Sequence, residues 1–191
     1  MQTKKEIISF ASELFKRYGL KKTTMDDVAR ICRVGKATLY KFFRNKEELY
    51  KEILKDEMEE ILSVVAERIN DIKDVKGKIK ALFETEYILL RDKLNLSELL
   101  LNTSQIVDME ISKIIDEFYE RQRRLIRGIL AEGVENDEIV VEDVSLLSLA
   151  MMAAGQGLFS YFRGMKDEKK ALKSMEYLIN TLFSGIDRRG G

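Results

Sequence analysis

TTMDDVARICRVGKATLYKFFRNKEEL, residues 23–49, contains two short helical patterns joined by a three-residue break, and another helix starts directly after them. From Val28 to Lys46 the chain carries six basic residues and no acidic one. A short helix, a tight turn and a second short helix with charge of one sign are typical of a unit that reads DNA. This stretch therefore predicts a helix-turn-helix.

Local signals predict where the helices of this unit begin and end. Thr24 stands before two acidic residues, as an N-cap does, and residues 33–35 form the turn. The third helix is expected over residues 36–42, with Leu39 and Phe43 facing inward. The buried side of the second helix is predicted to consist of Val28, Ala29, Ile31 and Cys32.

Two flanking helices are expected to hold these short ones, which are not stable alone. The first covers residues 3–18, and its apolar positions are Ile7, Ala11, Leu14, Phe15 and Tyr18. The fourth begins after Asn45, and Glu48 lies at the spacing of a capping box. The fourth helix is predicted over residues 46–70, and further helices over residues 75–93, 96–104, 107–132, 142–164 and 167–186, with Gly133, Asn136 and Asp137 marking the gap before the last two.

The outward residues of the third helix are candidates for DNA contact, because Leu39 and Phe43 point inward. Small or hydrogen-bonding side chains at a helix N-terminus can approach base edges in the major groove. The predicted base-reading residues are Lys36, Ala37 and Thr38. The predicted phosphate contacts are Thr24, Arg33, Tyr40, Lys41 and Lys46.

Composition narrows the function classes. Residues 1–55 hold 14 basic and 7 acidic residues, and residues 56–191 hold 19 and 26, so a basic head precedes an acidic body. The chain has no histidine and one cysteine, which disfavours a Cys/His metal site, an internal disulfide and a nucleophile–base pair. No cofactor or catalytic residue is predicted. Polar residues interrupt the apolar stretch 144–162, so we expect a cytoplasmic protein without membrane contact.

The run TTMDDVARICRVGKATLYKFFRNKEELYKEIL, residues 23–54, resembles the DNA-binding domain of the TetR family of bacterial transcriptional regulators. The resemblance implies an all-α fold of about nine helices: a three-helix helix-turn-helix domain over residues 1–48, then a ligand-sensing and dimerisation domain over residues 49–191. It also implies the same DNA contacts at Thr24, Lys36, Tyr40 and Lys46, together with Ala37 and Thr38. The turn departs from the family's usual Gly-Val-Ser, since this chain has Arg33, Val34 and Gly35 there.

The last two helices are predicted to form a two-fold dimer interface. The helix before last is apolar nearly all round, and the last carries a 3-4-3-4 apolar seam. The predicted interface residues are Met151, Gly155, Leu158, Phe162, Leu172, Met175, Ile179, Leu182 and Ile186. The alternative is a monomer in which the apolar helix is simply central core.

A small-molecule pocket is the second prediction for the body. Glu86 and Gln122 interrupt apolar helix faces, and an apolar pocket with a few polar groups is how such sites are built. The predicted lining is Phe83, Glu86, Tyr87, Phe118, Gln122, Met152, Gln156 and Phe159. The alternative is a buried pair between Glu86 and Arg121 or a lysine, with no ligand.

The sequence as a whole predicts a homodimeric regulator that binds a palindromic operator in double-stranded DNA. We expect a repressor that a small-molecule inducer releases. A ligand-independent architectural DNA-binding protein and, more remotely, an all-helical enzyme are the alternatives.

Overall fold

The computed structural model describes residues 3–101, 108–163 and 167–185. Those ranges contain nine helices and no strand, which confirms the predicted all-α fold. The helices are α1 (Lys4–Tyr18), α2 (Met25–Ile31), α3 (Lys36–Phe42), α4 (Lys46–Asn70), α5 (Val75–Asp92), α6 (Leu94–Leu101), α7 (Met109–Glu135), α8 (Val144–Arg163) and α9 (Glu168–Ser184).

The described residues pack as two compact units. The first comprises residues up to 60 together with 93–116, and the second comprises 61–92 and residues from 117 onward. Helices α4 and α7 each contribute to both units. The predicted boundary between residues 48 and 49 stays a prediction, and the packing groups residues 49–60 with the helix-turn-helix.

In the first unit, the helix-turn-helix packs around an apolar core. All four amino-terminal helices contribute fully buried side chains to it, among them Ile7, Ala11, Val28, Leu39, Leu49, Ile53 and Leu54. Phe15 and Phe43 are also buried, as predicted. Tyr18 and Ile31 were expected inside, but both are about half exposed. Each is the last residue of its helix, and both line the same surface groove.

In the second unit, α9 packs against α5 and α8. The buried stripe of α9 consists of Ala171, Met175, Ile179 and Phe183. Two residues of the seam predicted for a partner subunit, Met175 and Ile179, therefore lie in the chain's own core. An apolar spacing of three and four residues predicts that another helix packs on that face. It does not indicate whether this helix belongs to the same chain or to a partner subunit.

Gly133 does not mark the end of α7, which continues to Glu135. An ideal Cβ on Gly133 would lie 2.4 Å from Val75 Cγ2 and 3.2 Å from Ile139 Cγ1. The glycine therefore permits close approach between α7 and the start of α5. The sequence alone does not distinguish this role of a glycine from a helix stop.

Within the described ranges, one stretch, Val144–Phe162 of α8, is long and apolar enough to cross a membrane by length and composition alone. Only 17% of it is buried within the chain. A single stretch of this kind is weak evidence for a membrane span. Most of this apolar helix is therefore not buried by the rest of the described chain.

Candidate nucleic-acid interface and buried polar site

Helix α2 begins at a complete capping box. Asp27 N donates to Thr24 Oγ1 at 3.2 Å, and Thr24 N donates to Asp27 Oδ2 at 3.1 Å. Hydrogen bonds from Thr24 hold the pKa of the Asp27 carboxyl below its usual value, and Arg30 acts in the same direction. The predicted N-cap role of Thr24 is thus confirmed, and the box fixes the α2 terminus that Thr24 would present to a phosphate.

The turn between α2 and α3 closes around Arg33, whose φ is +53°. Val34 N donates to Ala29 O at 3.0 Å, and Arg33 N donates to Arg30 O at 3.2 Å. The six-to-one bond from Val34 with a left-handed residue before it is the Schellman pattern of a helix C-terminus. Glycine usually occupies that left-handed position, so Arg33 accepts the strain while its side chain stays exposed.

Helix α3 is anchored on one side only. Leu39 and the following Phe43 are buried, while Lys36, Ala37, Tyr40 and Lys41 are exposed. Thr38 is half-buried. The predicted base-reading residues therefore sit on the first turn of a short helix whose orientation the core determines, although the third of them offers less surface than expected.

Two of the basic residues are paired with acids of the α2 first turn. Lys36 Nζ lies 2.6 Å from Asp26 Oδ2, and Arg30 Nη2 lies 3.0 Å from Asp27 Oδ1. Both pairs are exposed, so their net contribution to stability is small. The pair with Asp26 holds the Lys36 ammonium beside α2, a contact between residues ten apart that no local sequence pattern indicates.

Lys46 has a role that its charge did not indicate. Its ammonium donates to Leu20 O at 2.9 Å and to Thr23 O at 3.2 Å, so it ties the start of α4 to the loop between α1 and α2. The residue is half-buried. Backbone carbonyls carry no sequence signature, which is why the pattern predicted only a phosphate contact.

In the second unit, Glu86 and Gln122 form a buried polar pair. Gln122 Nε2 donates a hydrogen bond to Glu86 Oε2, and Glu86 and Gln122 are 3% and 5% exposed. Among the described residues, neither Glu86 Oε1 nor Gln122 Oε1 has a hydrogen-bond partner. Burial raises the pKa of the Glu86 carboxyl to about 8, and the bond from Gln122 opposes this only in part.

The structure brings together some of the other predicted pocket residues. The rings of Tyr87 and Phe159 meet edge to face with centroids 6.1 Å apart. Phe83 lies so close to Gly155 that an ideal Cβ there would be 2.4 Å from its ring. Phe118 is buried, and Met152 and Gln156 are half-buried.

The predicted dimer-interface residues mostly face the chain's own interior. Met151, Phe162, Met175 and Ile179 are buried, and Gly155 faces Phe83. Leu158, Leu172 and Leu182 are half-buried, and Ile186 lies outside the described residues. The outward side of α8 is instead formed by Leu146, Leu149, Ala150, Ala153, Gly157 and Tyr161.

In the ranges that the structure describes, no group of three or more Cys, Asp or Glu side chains is arranged to hold a metal ion. The candidate sites are thus the surface of α3 and the Glu86–Gln122 pair.

The fold and the exposed face of α3 define a helix-turn-helix protein of the DNA-binding class. Residues 7–53 match the family model for bacterial regulatory proteins of the tetR family. An HTH-type transcriptional regulator of Bacillus subtilis, YhgD, is 28% identical over 150 residues, which cover 78% of each chain. The helix-turn-helix of this chain is thus that of the TetR family of bacterial transcriptional regulators, and its curated relatives are HTH-type transcriptional regulators.

Two further relatives extend the comparison over nearly the whole chain. IcaR of Staphylococcus epidermidis, the negative transcriptional regulator of the biofilm operon icaADBC, is 25% identical over 185 residues, covering 94% of this chain and 98% of IcaR. The crystal structure of FadR from Bacillus subtilis, in complex with stearoyl-CoA, matches with a TM-score of 0.75 and 23% identity over 94% of this chain and 97% of that one. These relatives are regulators rather than enzymes, which confirms the prediction of a non-enzymatic protein.

Proposed function

We propose that the chain is a homodimeric repressor that binds a palindromic operator through α3 and leaves it when a small molecule occupies the second unit. The observation that carries the DNA-reading part is the exposed first turn of α3, held in place by buried Leu39 and Phe43. The relationship to IcaR, a negative regulator, favours repression over activation. The protein would act in the cytoplasm, where bacterial DNA lies.

Selection of bound fragments from a random DNA pool tests this proposal. A two-fold dimer of helix-turn-helix heads should enrich a palindrome whose half-sites are about one helical turn, roughly 34 Å, or a multiple of it apart. Enrichment of a single non-repeated site would contradict the dimer. The absence of any enriched sequence would contradict sequence-specific binding.

Two kinds of contact are expected on α3, and variants separate them. Lys36→Ala should weaken the selected operator by about 1–3 kcal/mol more than it weakens random DNA, because a base contact discriminates between sequences. Lys41→Ala should weaken both equally and reduce the salt slope by about 0.9, as the loss of one phosphate contact does. Lys169→Ala, an exposed lysine of α9, is the matched control and should change neither quantity.

The outward face of α8 supports the proposal of a dimer. Its leucines at 146 and 149 are 63% and 45% exposed, and Ala153 and Gly157 follow on the same side, where they would let a second helix approach closely. A two-fold contact would place this face against its own copy, which covers the apolar surface on both chains at once. The proposed interface is therefore α8's outer side, with α9 supporting it from within.

The Glu86–Gln122 pair supports the proposal of a ligand. Two buried oxygen atoms without hydrogen-bond partners are costly to maintain, and a ligand carrying a hydrogen-bond donor or a cationic group would satisfy them. The other buried side chains of α5 and α7 are aromatic and aliphatic, which suits a ligand with a long apolar part. FadR binds stearoyl-CoA, an apolar chain with a polar head, in the same fold.

Three probes with the same chain and different head groups test the ligand proposal: octadecylamine, stearic acid and stearoyl-CoA. We expect octadecylamine to raise the melting temperature and to displace the selected operator, and we expect Glu86→Gln to abolish both effects. A response to octadecylamine that is unchanged in Glu86→Gln would contradict the proposed role of Glu86. A ligand shifts the equilibrium between two states only if it binds them with different affinity. Displacement of the operator therefore requires that the ligand binds the DNA-incompetent form more tightly.

A further inference from the structure

A buried carboxylate in the first unit joins three helices. Glu57 of α4 is 4% exposed, and both of its oxygens accept hydrogen bonds. Ser12 Oγ of α1 and Asn95 Nδ2 of α6 both donate to Glu57 Oε1 at 2.9 Å. The backbone N of Leu96 donates to Glu57 Oε2 at 2.9 Å. The Glu57 side chain thus links α1, which packs on the helix-turn-helix, to the first turn of α6.

Further contacts close the same network. Asn95 Nδ2 also donates to Ser12 Oγ at 3.2 Å and to Ser12 O at 3.3 Å. Lys93, which precedes α6, lies 2.5 Å from Glu60 Oε2, one turn along α4 from Glu57. The start of α6 is therefore held to α1 and α4 by polar contacts on several sides, although it is far from both in sequence.

The geometry makes independent movement of α6 unfavourable. If α6 shifts along its axis, Leu96 N leaves Glu57 Oε2 and a buried carboxylate loses a donor, unless α1 and α4 move with it. Only Lys93 separates the end of α5 from the start of α6, so a change in α5 reaches α6 through the chain itself. Glu86 lies on that same α5.

We propose that Glu57 is a positioning residue that couples the start of α6 to the DNA-binding helices through Ser12, Asn95 and the Leu96 amide. The inference deepens the proposed function, because it names the link by which a change at α6 would alter operator binding. By reciprocity, operator binding must alter the start of α6.

Hydrogen exchange without DNA provides the first test. Asn95→Ala removes the α6 side chain that reaches Ser12 and Glu57. We expect faster exchange in the α1 peptide covering residues 8–16, although the substitution lies more than 80 positions away in sequence. Glu67→Gln, which changes an exposed carboxylate of the same α4, is the matched control and should leave α1 unchanged. Unchanged α1 exchange in Asn95→Ala would overturn the coupling, whether or not the protein binds DNA.

Operator binding provides the second test. In the wild type and in Glu67→Gln, the selected operator should slow exchange in the peptide covering 95–100 by about fivefold or more, the lower end of typical coupling between sites. In Glu57→Gln an amide NH₂ faces at least one of the groups that donate to the carboxylate, so at least one of these hydrogen bonds is lost. The operator should still bind, but the protection of residues 95–100 should be lost. Retained protection in Glu57→Gln, or none in the wild type with operator bound, would overturn the inference.

Ser12→Ala covers the case in which Glu57→Gln does not fold. It removes only the α1 donor and leaves the bond from Leu96 N to Glu57, so α6 should stay folded and lose most of its operator-dependent protection. Full protection in Ser12→Ala would overturn the role of α1. A wild type that selects no DNA would instead refute the proposed function, and the exchange experiment without DNA would still decide the coupling.

Discussion

Arg33 combines two roles that oppose each other. Its backbone occupies the left-handed position of the helix-turn-helix turn, and its exposed guanidinium is a predicted phosphate contact. A non-glycine residue in this conformation costs on the order of 1–2 kcal/mol, whereas glycine adds about 0.5–1 kcal/mol of freedom to the unfolded chain. Relief of strain should therefore exceed the entropic loss.

Arg33→Gly should accordingly stabilise the protein by about 0.5–1 kcal/mol and raise its melting temperature by roughly 2 °C. The same variant should bind operator and random DNA more weakly, because a cation beside the phosphates is lost. Calorimetry and a salt titration of DNA binding measure the two effects. Arg33→Lys keeps both the strain and the charge, so a large change in that control would contradict this account.

Glu86 should make the stability of the protein fall as the pH rises. Its pKa is about 8 in the folded chain and 4.5 in the unfolded one, so between these values the folded state binds more protons. The free energy of unfolding then decreases from about pH 4.5 to pH 8 and changes no further above that through this group. Each unit of difference in pKa corresponds to about 1.4 kcal/mol, and relaxation around the ionised carboxylate will reduce the total.

Glu86→Gln should remove this pH dependence. The glutamine resembles the protonated carboxyl, so the two proteins should melt at nearly the same temperature at pH 5, and the variant should be the more stable at pH 8.5. Melting curves across the range measure the difference. Parallel curves for variant and wild type would show that Glu86 stays ionised or escapes burial.

At the scale of helices, α7 offers a matched pair of glycines. A methyl group on Gly133 would meet Val75 at 2.4 Å, whereas nothing lies within 4 Å of one on Gly128. Gly133→Ala should therefore destabilise the protein by about 1–3 kcal/mol through overpacking. Gly128→Ala should stabilise it by about 0.5–1 kcal/mol, because alanine is the better helix former. Denaturant titration distinguishes the two, and equal effects would contradict the close approach of α5 and α7.

Local signals predicted the amino-terminal helices well. The Thr24 cap, the turn at residues 33–35 and the bounds of α3 all follow from residue types within one turn of the chain. The body was less predictable, because the same apolar spacing serves an internal neighbour and a partner subunit. Met175 and Ile179 of the α9 seam lie in the chain's own core for this reason. Gly133 is not the helix end that the sequence predicts, because a glycine that permits close packing looks the same in sequence.

The candidate site was predictable in the same uneven way. Polar interruptions of apolar faces indicated Glu86 and Gln122, and the structure brings these two together. The sequence pattern did not indicate that Lys46 donates to backbone carbonyls or that Glu57 bridges α1 and α6. Their partners are backbone groups or residues distant in sequence.

For the whole molecule, the decisive question is whether two copies associate. Leu149→Glu places a charge on the outward face of α8 and should leave the fold of the single chain intact, because that side chain is already 45% exposed. We expect sedimentation to report a 22.2 kDa species in place of one of twice that mass. Operator affinity should fall by about 100-fold or more, as the second head no longer binds at high effective concentration.

Ile88→Glu is the control for this experiment, since it places the same charge on a partly exposed isoleucine of α5. It should remain dimeric and should bind the operator normally. A wild type that sediments at 22.2 kDa at micromolar concentration would contradict the dimer itself.

Cys32, the only cysteine of the chain, lies fully buried in the core of the helix-turn-helix, and burial raises the pKa of its thiol. A thiol reagent in solution can therefore modify the protein only when this core opens, and at one position. The rate of modification measures the opening free energy of the DNA-binding helices on the unaltered chain, without an introduced label. Added operator should slow the reaction, so the modification rate of Cys32 also reports the fraction of protein that is bound to operator.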